Sequence, residues 1–255
     1  MNLIDVIILG IVEGLTEFLP ISSTGHLILV SRLLDLPHTD FLSTFEIVIQ
    51  LGAILAVVVL YAKRLLTDRI LFQKLVVALL PALGVGALFY PFIKSLFAAE
   101  HVVAWTLLVG GILIILLELF QKKKEKHIAD LSAVSYRTAF LIGACQALSV
   151  IPGVSRAGAT ILGGLLLGME RRTIVEFSFL LAVPTMLAAS TLDLYKNAAL
   201  FSLDQSFSLA IGFVTSFVVA ILAIKFFLRF VGTHTFIPFG VYRILVGLLF
   251  LLIIL

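Results

Sequence analysis

The chain has 255 residues, of which 61% are hydrophobic and only 13% are charged, and its net charge is +3. A soluble domain carries about a quarter charged residues, so this composition, with a mean hydropathy of +1.20, excludes a soluble globular fold. The single cysteine, Cys145, excludes an intramolecular disulfide and is expected to be a small buried hydrophobic residue. No Pro-, Gly- or Ser-rich linker divides the sequence, so we expect one all-α integral membrane domain over residues 1–255.

The first element covers residues 3–34, where two apolar runs are broken in the middle by Pro, Gly and Ser. Each run has about 12–16 residues, whereas a helix needs about 20 residues to cross a bilayer. We therefore predict a re-entrant hairpin, a helix–elbow–helix unit that enters the membrane and returns to the same side. Glu13 and Glu17 are incompatible with the core of a signal peptide, so we expect residues 1–20 to be retained.

The first elbow, defined as residues 13–26, brings carboxylates, hydroxyls and an imidazole close together. Glu13 and Glu17, four residues apart, share one face of the incoming half-helix. The outgoing half-helix starts with Ser22, Ser23, Thr24, Gly25 and His26. Buried glutamates are costly unless paired, and the free N–H groups of a helix N-terminus attract phosphate. We predict a phosphate-handling site here; simple N-capping is the alternative for the hydroxyls, and a core hydrogen bond is the alternative for the histidine.

Three full spans follow, each long and apolar enough to cross the bilayer, at residues 41–62, 73–93 and 101–120. In the first of these spans, Glu46 and Gln50 lie four residues apart and either line a cavity or contribute to helix packing. The basic run Lys122–Lys126 comes next, and we expect it to contact anionic lipid headgroups.

Residues 137–168 form a second broken pair of short apolar runs, which we also predict to be a re-entrant hairpin. The second elbow, defined as residues 149–160, repeats the cap and the glycines with Gly153, Ser155 and Gly158. It offers one cation, Arg156, in place of the carboxylates and the histidine of the first elbow. An arginine inside the membrane at a helix N-terminus is unfavourable unless an anion binds there, and its guanidinium can hold two phosphate oxygens. We predict that Arg156 binds phosphate; a structural salt bridge to Glu13 or Glu17 is the alternative.

The last three spans cover residues 174–194, 207–228 and 237–255. Arg243 lies within the final span, where it either reaches the polar cavity and binds substrate or snorkels outward along the helix. The complete prediction is six transmembrane helices plus two re-entrant hairpins.

The distribution of basic residues orients the chain across the membrane. If every span crosses and each hairpin returns to its own side, most of the 18 Lys and Arg residues fall on one side, and only Arg32, Lys94 and Lys196 fall on the other. The positive-inside rule assigns the richer side to the cytoplasm. The first hairpin is therefore predicted on the outer side of the membrane and the second on the cytoplasmic side.

The two halves of the chain resemble each other in sequence. At an offset of 133 residues, Gly10, Leu15, Ser22 and Gly25 meet Gly143, Leu148, Ser155 and Gly158, and at an offset of 132 Phe45 meets Phe177. An odd number of spans separates the hairpins, so we predict an inverted-topology repeat, with repeat one at about residues 1–120 and repeat two at about 137–255. Inverted repeats with broken helices bring their elbows together near the bilayer midplane.

Two long motifs carry a family resemblance. The run EGLTEFLPISSTGH at residues 13–26, together with PGVSRAGAT at residues 152–160, resembles the undecaprenyl-pyrophosphate phosphatases, the bacitracin-resistance type of lipid phosphatase. The similarity extends through FEIVIQLGAILAVVV at residues 45–59 to nearly the whole chain. One departure is Ala157, which stands where some relatives carry serine.

The resemblance implies that the protein removes the terminal phosphate from undecaprenyl pyrophosphate and so recycles the lipid carrier of cell-wall synthesis. It implies a bacterial plasma membrane protein, with an active site open to the extracytoplasmic side and a dependence on a divalent cation, Mg or Ca. By motif match, the acidic pair of the family falls on Glu13 and Glu17, its serine and histidine on Ser23 and His26, and its arginine on Arg156.

Phosphoryl transfer needs neutralisation of phosphate charge, an in-line nucleophile and protonation of the leaving group. Arg156, the helix N-termini and a metal held by Glu13 and Glu17 can supply the first. Ser23 or His26 can attack directly, or His26 can activate Ser23 or a water; we favour Ser23 as the nucleophile and His26 as the base.

The alternative function is a secondary transporter or lipid-phosphate flippase with an anion site between the repeats. Expected partners are a polyprenyl pyrophosphate lipid and the bilayer, with no nucleic acid, and we retain a homodimer as one expectation.

Overall fold

The computed structural model describes residues 1–37, 39–89, 92, 96, 100–121, 128–196 and 205–254. Within these residues the α-helices are, in chain order, α1 (Leu3–Thr16), α2 (Ser23–Leu33), α3 (Asp40–Thr67), α4 (Arg69–Leu88), α5 (Glu100–Gln121), α6 (Tyr136–Gln146), α7 (Arg156–Leu166), α8 (Arg171–Lys196), α9 (Ser206–Val231) and α10 (Ile237–Ile254). Short 3₁₀ turns precede and follow α6, at Leu131–Ala133 and Ala147–Val150. The predictions for the basic residues Lys94 and Lys122–Lys126 concern positions outside the described part of the chain.

Among the described residues, six helices are long and apolar enough to span a membrane: α3, α4, α5, α8, α9 and α10. Their most apolar windows have mean hydropathies from 1.6 to 2.5. The six predicted spans are therefore confirmed as helices of spanning length. The first predicted span was too short, because α3 has non-helical dihedral angles at Tyr61 and then continues as a helix to Thr67.

The loop expected between the first two spans is also shorter than predicted. It is reduced to Asp68, whose carboxylate accepts a hydrogen bond from the Leu71 N–H at 2.9 Å and so begins α4 immediately. A second correction concerns Cys145, which is a free thiol and only half-buried, because it packs at the contact with Gly163 on α7 instead of inside the core.

Each segment predicted as a hairpin consists of two short helices separated by a break, α1 with α2 and α6 with α7. Side-chain caps fix where these helices begin. Asn2 and Asp5 form a reciprocal capping box at the start of α1, with hydrogen bonds of 2.8 and 2.9 Å. Ser22, Ser135 and Ser155 each cap the next short helix by accepting a backbone N–H three residues ahead. The sequence therefore encodes the breaks through hydroxyl caps as well as through Pro and Gly.

Close helix contacts pass through glycine at equivalent places in the two halves. In α1, a side-chain carbon at Gly10 would lie 3.0 Å from the carbonyl oxygen of Gly212 in α9. In α6, a side-chain carbon at Gly143 would collide with the backbone of Ala78 in α4. The first helix of each half thus packs against the fourth helix of the other half, and α5 packs against α10. These exchanged contacts bring the two breaks to the same central region.

Candidate active site

The first elbow is a strained turn between α1 and α2. Phe18 has no exposed surface and packs edge-on against Phe179 of α8, with the ring centroids 5.4 Å apart. Ser22 has a φ of 71°, in the left-handed region that residues other than glycine rarely adopt. Its hydroxyl accepts a hydrogen bond from the Gly25 N–H at 3.3 Å and so caps α2. Packing on one side and a cap on the other therefore hold this turn.

Glu17 makes contacts to both elbows. Its Oε2 accepts a hydrogen bond from the Ser23 hydroxyl at 2.6 Å, and its Oε1 lies 3.0 Å from Nη2 of Arg156. The side chains of this ion pair are nearly buried, with 5% of Glu17 and 9% of Arg156 exposed. Because a carboxylate can only accept, the Ser23 proton points at Glu17. A hydroxyl, a carboxylate and a guanidinium from two distant parts of the chain therefore form one contiguous group.

Two further contacts, one from α8 and one from the first elbow, orient the Arg156 guanidinium. Nη1 donates to the backbone oxygen of Ser178 in α8 at 2.8 Å. The ring of Phe18 lies 5.9 Å from the central carbon of the guanidinium, within the range of a cation–π contact. The arginine is thus oriented from three directions, by Glu17, by α8 and by the aromatic ring.

Close backbone approaches shape the second elbow. Gly153 has a φ of 84°, and a side-chain carbon there would lie 2.9 Å from the backbone of Val103 in α5. Ser155 accepts from the Gly158 N–H at 3.0 Å, which caps α7, and its hydroxyl donates to the Leu19 carbonyl at 3.4 Å. Gly153 therefore allows this elbow to pack closely against α5, while Ser155 joins it to the first elbow by a hydrogen bond.

A cavity of about 710 Å³ lies against these groups. The polar floor of the cavity is formed by seven residues of the two elbows: Glu17, Ser22, Ser23, Thr24, Ser149, Ser155 and Arg156. Two apolar walls rise from α4 and α8, with Leu79, Ala82, Leu83, Gly86 and Ala87 on one and Met186, Ala188 and Ala189 on the other. The shape suits a molecule with an anionic head and an apolar chain.

His26 lies next to this floor but does not line the cavity. Its Nδ1 is 2.7 Å from the backbone oxygen of Ser22, and its Nε2 is 2.8 Å from the hydroxyl oxygen of Tyr242 in α10. Both ring nitrogens are therefore occupied, while Ser23 is hydrogen-bonded to Glu17. The structure shows no hydrogen bond between His26 and Ser23, and the role of His26 as the base for Ser23 stays a prediction.

Glu13 precedes Glu17 by one helical turn and is fully buried. Within the described residues, neither of its carboxylate oxygens has a hydrogen-bond partner. No group of three or more His, Cys, Asp or Glu side chains in that same part of the chain could hold a metal ion. Mg²⁺, however, is usually held by one or two carboxylates together with substrate phosphate oxygens. Glu13 and Glu17 therefore fit a cation that arrives with a phosphate substrate.

Arg243 on α10 is 2% exposed and so does not snorkel outward. It donates to the carbonyls of Pro20 in the first elbow and Gly153 in the second, at 3.3 and 3.1 Å. It also donates to Thr106 and Leu107 in α5, at 2.9 and 3.4 Å. Arg243 thus joins the two elbows through their backbones and does not line the cavity, and its contact with substrate stays a prediction.

The structure brings half of the predicted site residues to the polar floor, whereas Glu13, Gly25, His26, Gly153, Gly158 and Arg243 lie outside the cavity lining. Gln50, for which packing was the alternative, lines the cavity. Sequence reasoning missed Ser149, Ser178 and Thr185. The sequence repeat could have indicated Ser178. The offset of 132 residues that aligns Phe45 with Phe177 also aligns Glu46, a candidate cavity residue, with Ser178.

Comparison with known proteins gives a consistent family assignment. A family model described as bacitracin resistance protein BacA matches residues 6–249. An undecaprenyl-diphosphatase of Persephonella marina is 53% identical over 255 residues, which is 100% of both chains. Undecaprenyl-diphosphatases of Sulfurihydrogenibium sp. and Aquifex aeolicus are 52% and 48% identical, covering 99% and 96% of this chain and 99% and 95% of their own.

Proposed function

This chain belongs to the bacitracin resistance protein BacA family, and we propose that it hydrolyses undecaprenyl diphosphate to undecaprenyl phosphate and phosphate. Such a reaction recycles the lipid carrier of bacterial cell-wall synthesis. The observation that carries the proposal is the contact of Ser23, Glu17 and Arg156 on the floor of a cavity with apolar walls. A nucleophile, a proton acceptor and a phosphate-binding cation are the groups that phosphoryl transfer requires.

In the proposed reaction, the terminal phosphate of the lipid binds between Arg156 and the N-terminus of α2. The guanidinium exchanges part of its pairing with Glu17 for phosphate oxygens, as a bidentate donor can. Glu17 then accepts the Ser23 proton, and Ser23 Oγ attacks the terminal phosphorus in line with the bridging oxygen. The bond from phosphorus to the bridging oxygen breaks, and undecaprenyl phosphate leaves with the proton that Glu17 accepted. Water then hydrolyses the phosphoserine, which releases phosphate and restores the Ser23 hydroxyl.

A divalent cation fits the acidic pair of the first elbow. Glu13 and Glu17 would hold it, and it would neutralise charge on the phosphate oxygens during transfer. The unpartnered, fully buried carboxylate of Glu13 supports this assignment, because an isolated buried charge is costly unless a cation or a proton accompanies it.

The walls of the cavity support a lipid substrate and an outward-facing site. Leu83 and Gly86 lie near the end of α4 and Ala189 lies in the second half of α8, far from the basic starts of these helices at Arg69 and Arg171. The positive-inside rule assigns those basic ends to the cytoplasm. The cavity then occupies the outer half of the membrane, where a polyprenyl chain can remain in the bilayer while its head reaches the polar floor.

The inverted repeat and the re-entrant hairpins are part of the same proposal. Among the helices of the described residues, two sets of five, α1–α5 and α6–α10, follow the same order, short, short, long, long, long. Gly10 and Gly143, which the offset of 133 relates, contact Gly212 of α9 and Ala78 of α4, the fourth helices of the two sets. Two halves that exchange contacts in this way are expected for inverted repeats whose broken helices meet between them.

The same exchange of contacts favours transport of a lipid phosphate as a second candidate function. Purified protein in detergent micelles separates the two functions, because micelles have no second compartment. We expect it to release phosphate from undecaprenyl diphosphate, and Ser23→Ala to lose that activity. Ser43→Ala, at an exposed serine of α3, is the matched control and should keep it. A wild-type protein that releases no phosphate from micellar substrate would contradict the proposed hydrolysis.

A further inference from the structure

We infer that His26 and Tyr242 are positioning residues, which hold the strained backbone of Ser22 and so aim the Ser23 hydroxyl at the substrate. The inference rests on the proposed function, in which Ser23 is the nucleophile. It assigns Tyr242 of α10 to the active site and gives His26 a role other than that of base.

The hydrogen bonds of His26 determine which ring nitrogen carries the proton. The backbone oxygen of Ser22 can only accept, so Nδ1, at 2.7 Å, must donate to it. In the neutral ring Nε2 is then an acceptor, and it receives the hydroxyl proton of Tyr242 at 2.8 Å. The two rings are almost parallel, with an angle of 4° between their planes. Neither nitrogen is free to take a proton from Ser23, because each already has a partner.

The hydrogen bond from the His26 ring to the Ser22 carbonyl holds a strained part of the backbone. Ser22 has a φ of 71° and a ψ of 95° and directly precedes Ser23. A non-glycine residue in such a conformation persists only when its surroundings fix it. Its carbonyl accepts two donors, the backbone N–H of His26 at 3.2 Å and Nδ1 at 2.7 Å. The orientation of this peptide sets the direction in which Ser23 leaves the backbone, so the imidazole acts on the nucleophile through the peptide.

Two adjacent residues of α10 fix the chain just before the nucleophile. Arg243 donates to the carbonyl of Pro20, and Tyr242 holds the ring that donates to the carbonyl of Ser22. Tyr242 is 42% exposed, so its ring packs at the edge of the helix bundle instead of inside the cavity. The role of α10 at the site is thus to lock the first elbow, without contact between its side chains and the cavity.

Substitution of His26 by two amides tests the inference. The side-chain nitrogen of Asn takes the place of Nδ1 and can still donate to the Ser22 carbonyl, whereas that of Gln takes the place of Nε2. Neither amide can act as a general base, which contributes about 10²–10⁴-fold to a rate, so activity that is kept in His26→Asn alone indicates positioning through the Nδ1 donor. We expect His26→Asn to keep kcat within about tenfold of wild type and to keep its pH profile, and His26→Gln and His26→Ala to lose about a hundredfold or more. Equal losses in all three variants would overturn the inference.

Tyr242→Phe gives an independent check through the kcat–KM split. Loss of its hydroxyl should lower kcat by about tenfold or less while KM stays unchanged, because the ring does not line the cavity. A raised KM with unchanged kcat would place Tyr242 in substrate binding and contradict a positioning role.

Nitrogen NMR of ¹⁵N-histidine-labelled protein tests the same point without any activity. The chain has five histidines, and the spectrum of His26→Asn identifies the signal of His26 by its disappearance. We expect the Nδ1–H form; an Nε2–H form would overturn the inference even in an active enzyme. Conversely, a wild-type protein that releases no phosphate would end the proposed function while leaving the tautomer result intact, so the two failures are distinguishable.

Discussion

The carboxylate of Glu17 and the guanidinium of Arg156 lie 3.0 Å apart, although 139 positions separate them in the chain. Glu17 directly follows α1 and Arg156 begins α7, so each lies at the edge of a break between two short helices, and each is nearly buried. A buried ion pair of this kind is weak evidence for stability, because desolvation offsets much of the attraction. We therefore interpret the pair as part of the proposed phosphate site, in which Arg156 would bind the anion and Glu17 accepts the hydrogen bond of the Ser23 hydroxyl.

The apolar walls lead to a prediction about chain length. Gly84 and Gly86 both lie in α4 with nothing within 4 Å of an added side-chain carbon, but only Gly86 lines the cavity. We expect Gly86→Phe to raise KM for undecaprenyl diphosphate by about tenfold, because the ring fills space needed by the prenyl chain, and to leave hydrolysis of a short prenyl diphosphate nearly unchanged. Phosphate release with the two substrates measures both effects. Gly84→Phe is the matched control. An equal effect of both variants would show that the prenyl chain does not lie along this wall.

Most of the fold could be predicted from composition and length alone. Apolar segments of spanning length can only be helices or barrels in lipid, and the hydroxyl caps at Ser22 and Ser155 mark where helices restart. The extension of α3 past Tyr61 could not be predicted, because the charged residues Lys63 and Arg64 suggest a loop. The contact of Arg64 with Glu176 of α8, at 3.5 Å, shows what tertiary structure adds to that segment.

Only part of the site could be predicted from the sequence. Glu17 and Arg156 could be predicted because buried charges in a membrane helix need a functional explanation, and Ser23 because it matches the serine of the family motif. The partners of His26 could not be predicted, since Tyr242 is 216 positions away and no sequence pattern relates it to the elbow. Arg243 was recognised as unusual, but its four backbone acceptors arise from the meeting of three elements and leave no trace in the sequence.

Close packing of α1 against α9 predicts that alanine destabilises the protein at Gly14 in α1 but not at Gly84 in α4. A side-chain carbon at Gly14 would lie 2.6 Å from the backbone oxygen of Ser216, so Gly14→Ala should destabilise the protein by about 1–3 kcal/mol through overpacking. Gly84→Ala, in open space within α4, should leave stability unchanged or raise it by up to about 1 kcal/mol through helix propensity. Thermal unfolding in detergent measures both, and equal melting temperatures for the two variants would contradict the packing.

The two ends of α3 test the proposed orientation. Asp40 and Thr67 are both exposed and lie at opposite ends of this helix. In a Cys145→Ala background, we expect a membrane-impermeant thiol reagent applied from outside to label Asp40→Cys and not Thr67→Cys. Permeabilised cells, in which both should react, provide the control. The reverse pattern in intact cells would invert the topology and place the cavity on the cytoplasmic side.

The acidic pair predicts how a divalent cation activates the enzyme. Glu13→Gln removes a fully buried carboxylate ligand while keeping its volume, so the Mg²⁺ concentration needed for half-maximal activity should rise by at least about tenfold. Glu176→Gln, at a carboxylate paired with Arg64 and Arg172 away from the polar floor, should leave it unchanged. Unaltered Mg²⁺ dependence in Glu13→Gln would show that the cation, if required, binds elsewhere.

Phosphate release by Arg156→Ala tests the central claim, that the two elbows form one phosphate-handling site. Loss of a charged donor that stabilises the transition state costs about 10²–10³-fold in kcat. We expect a loss of that size with undecaprenyl diphosphate in micelles, while Arg172→Ala, at an arginine whose side chain is 70% exposed, retains wild-type turnover. Wild-type turnover in Arg156→Ala, with correctly folded protein, would contradict the account.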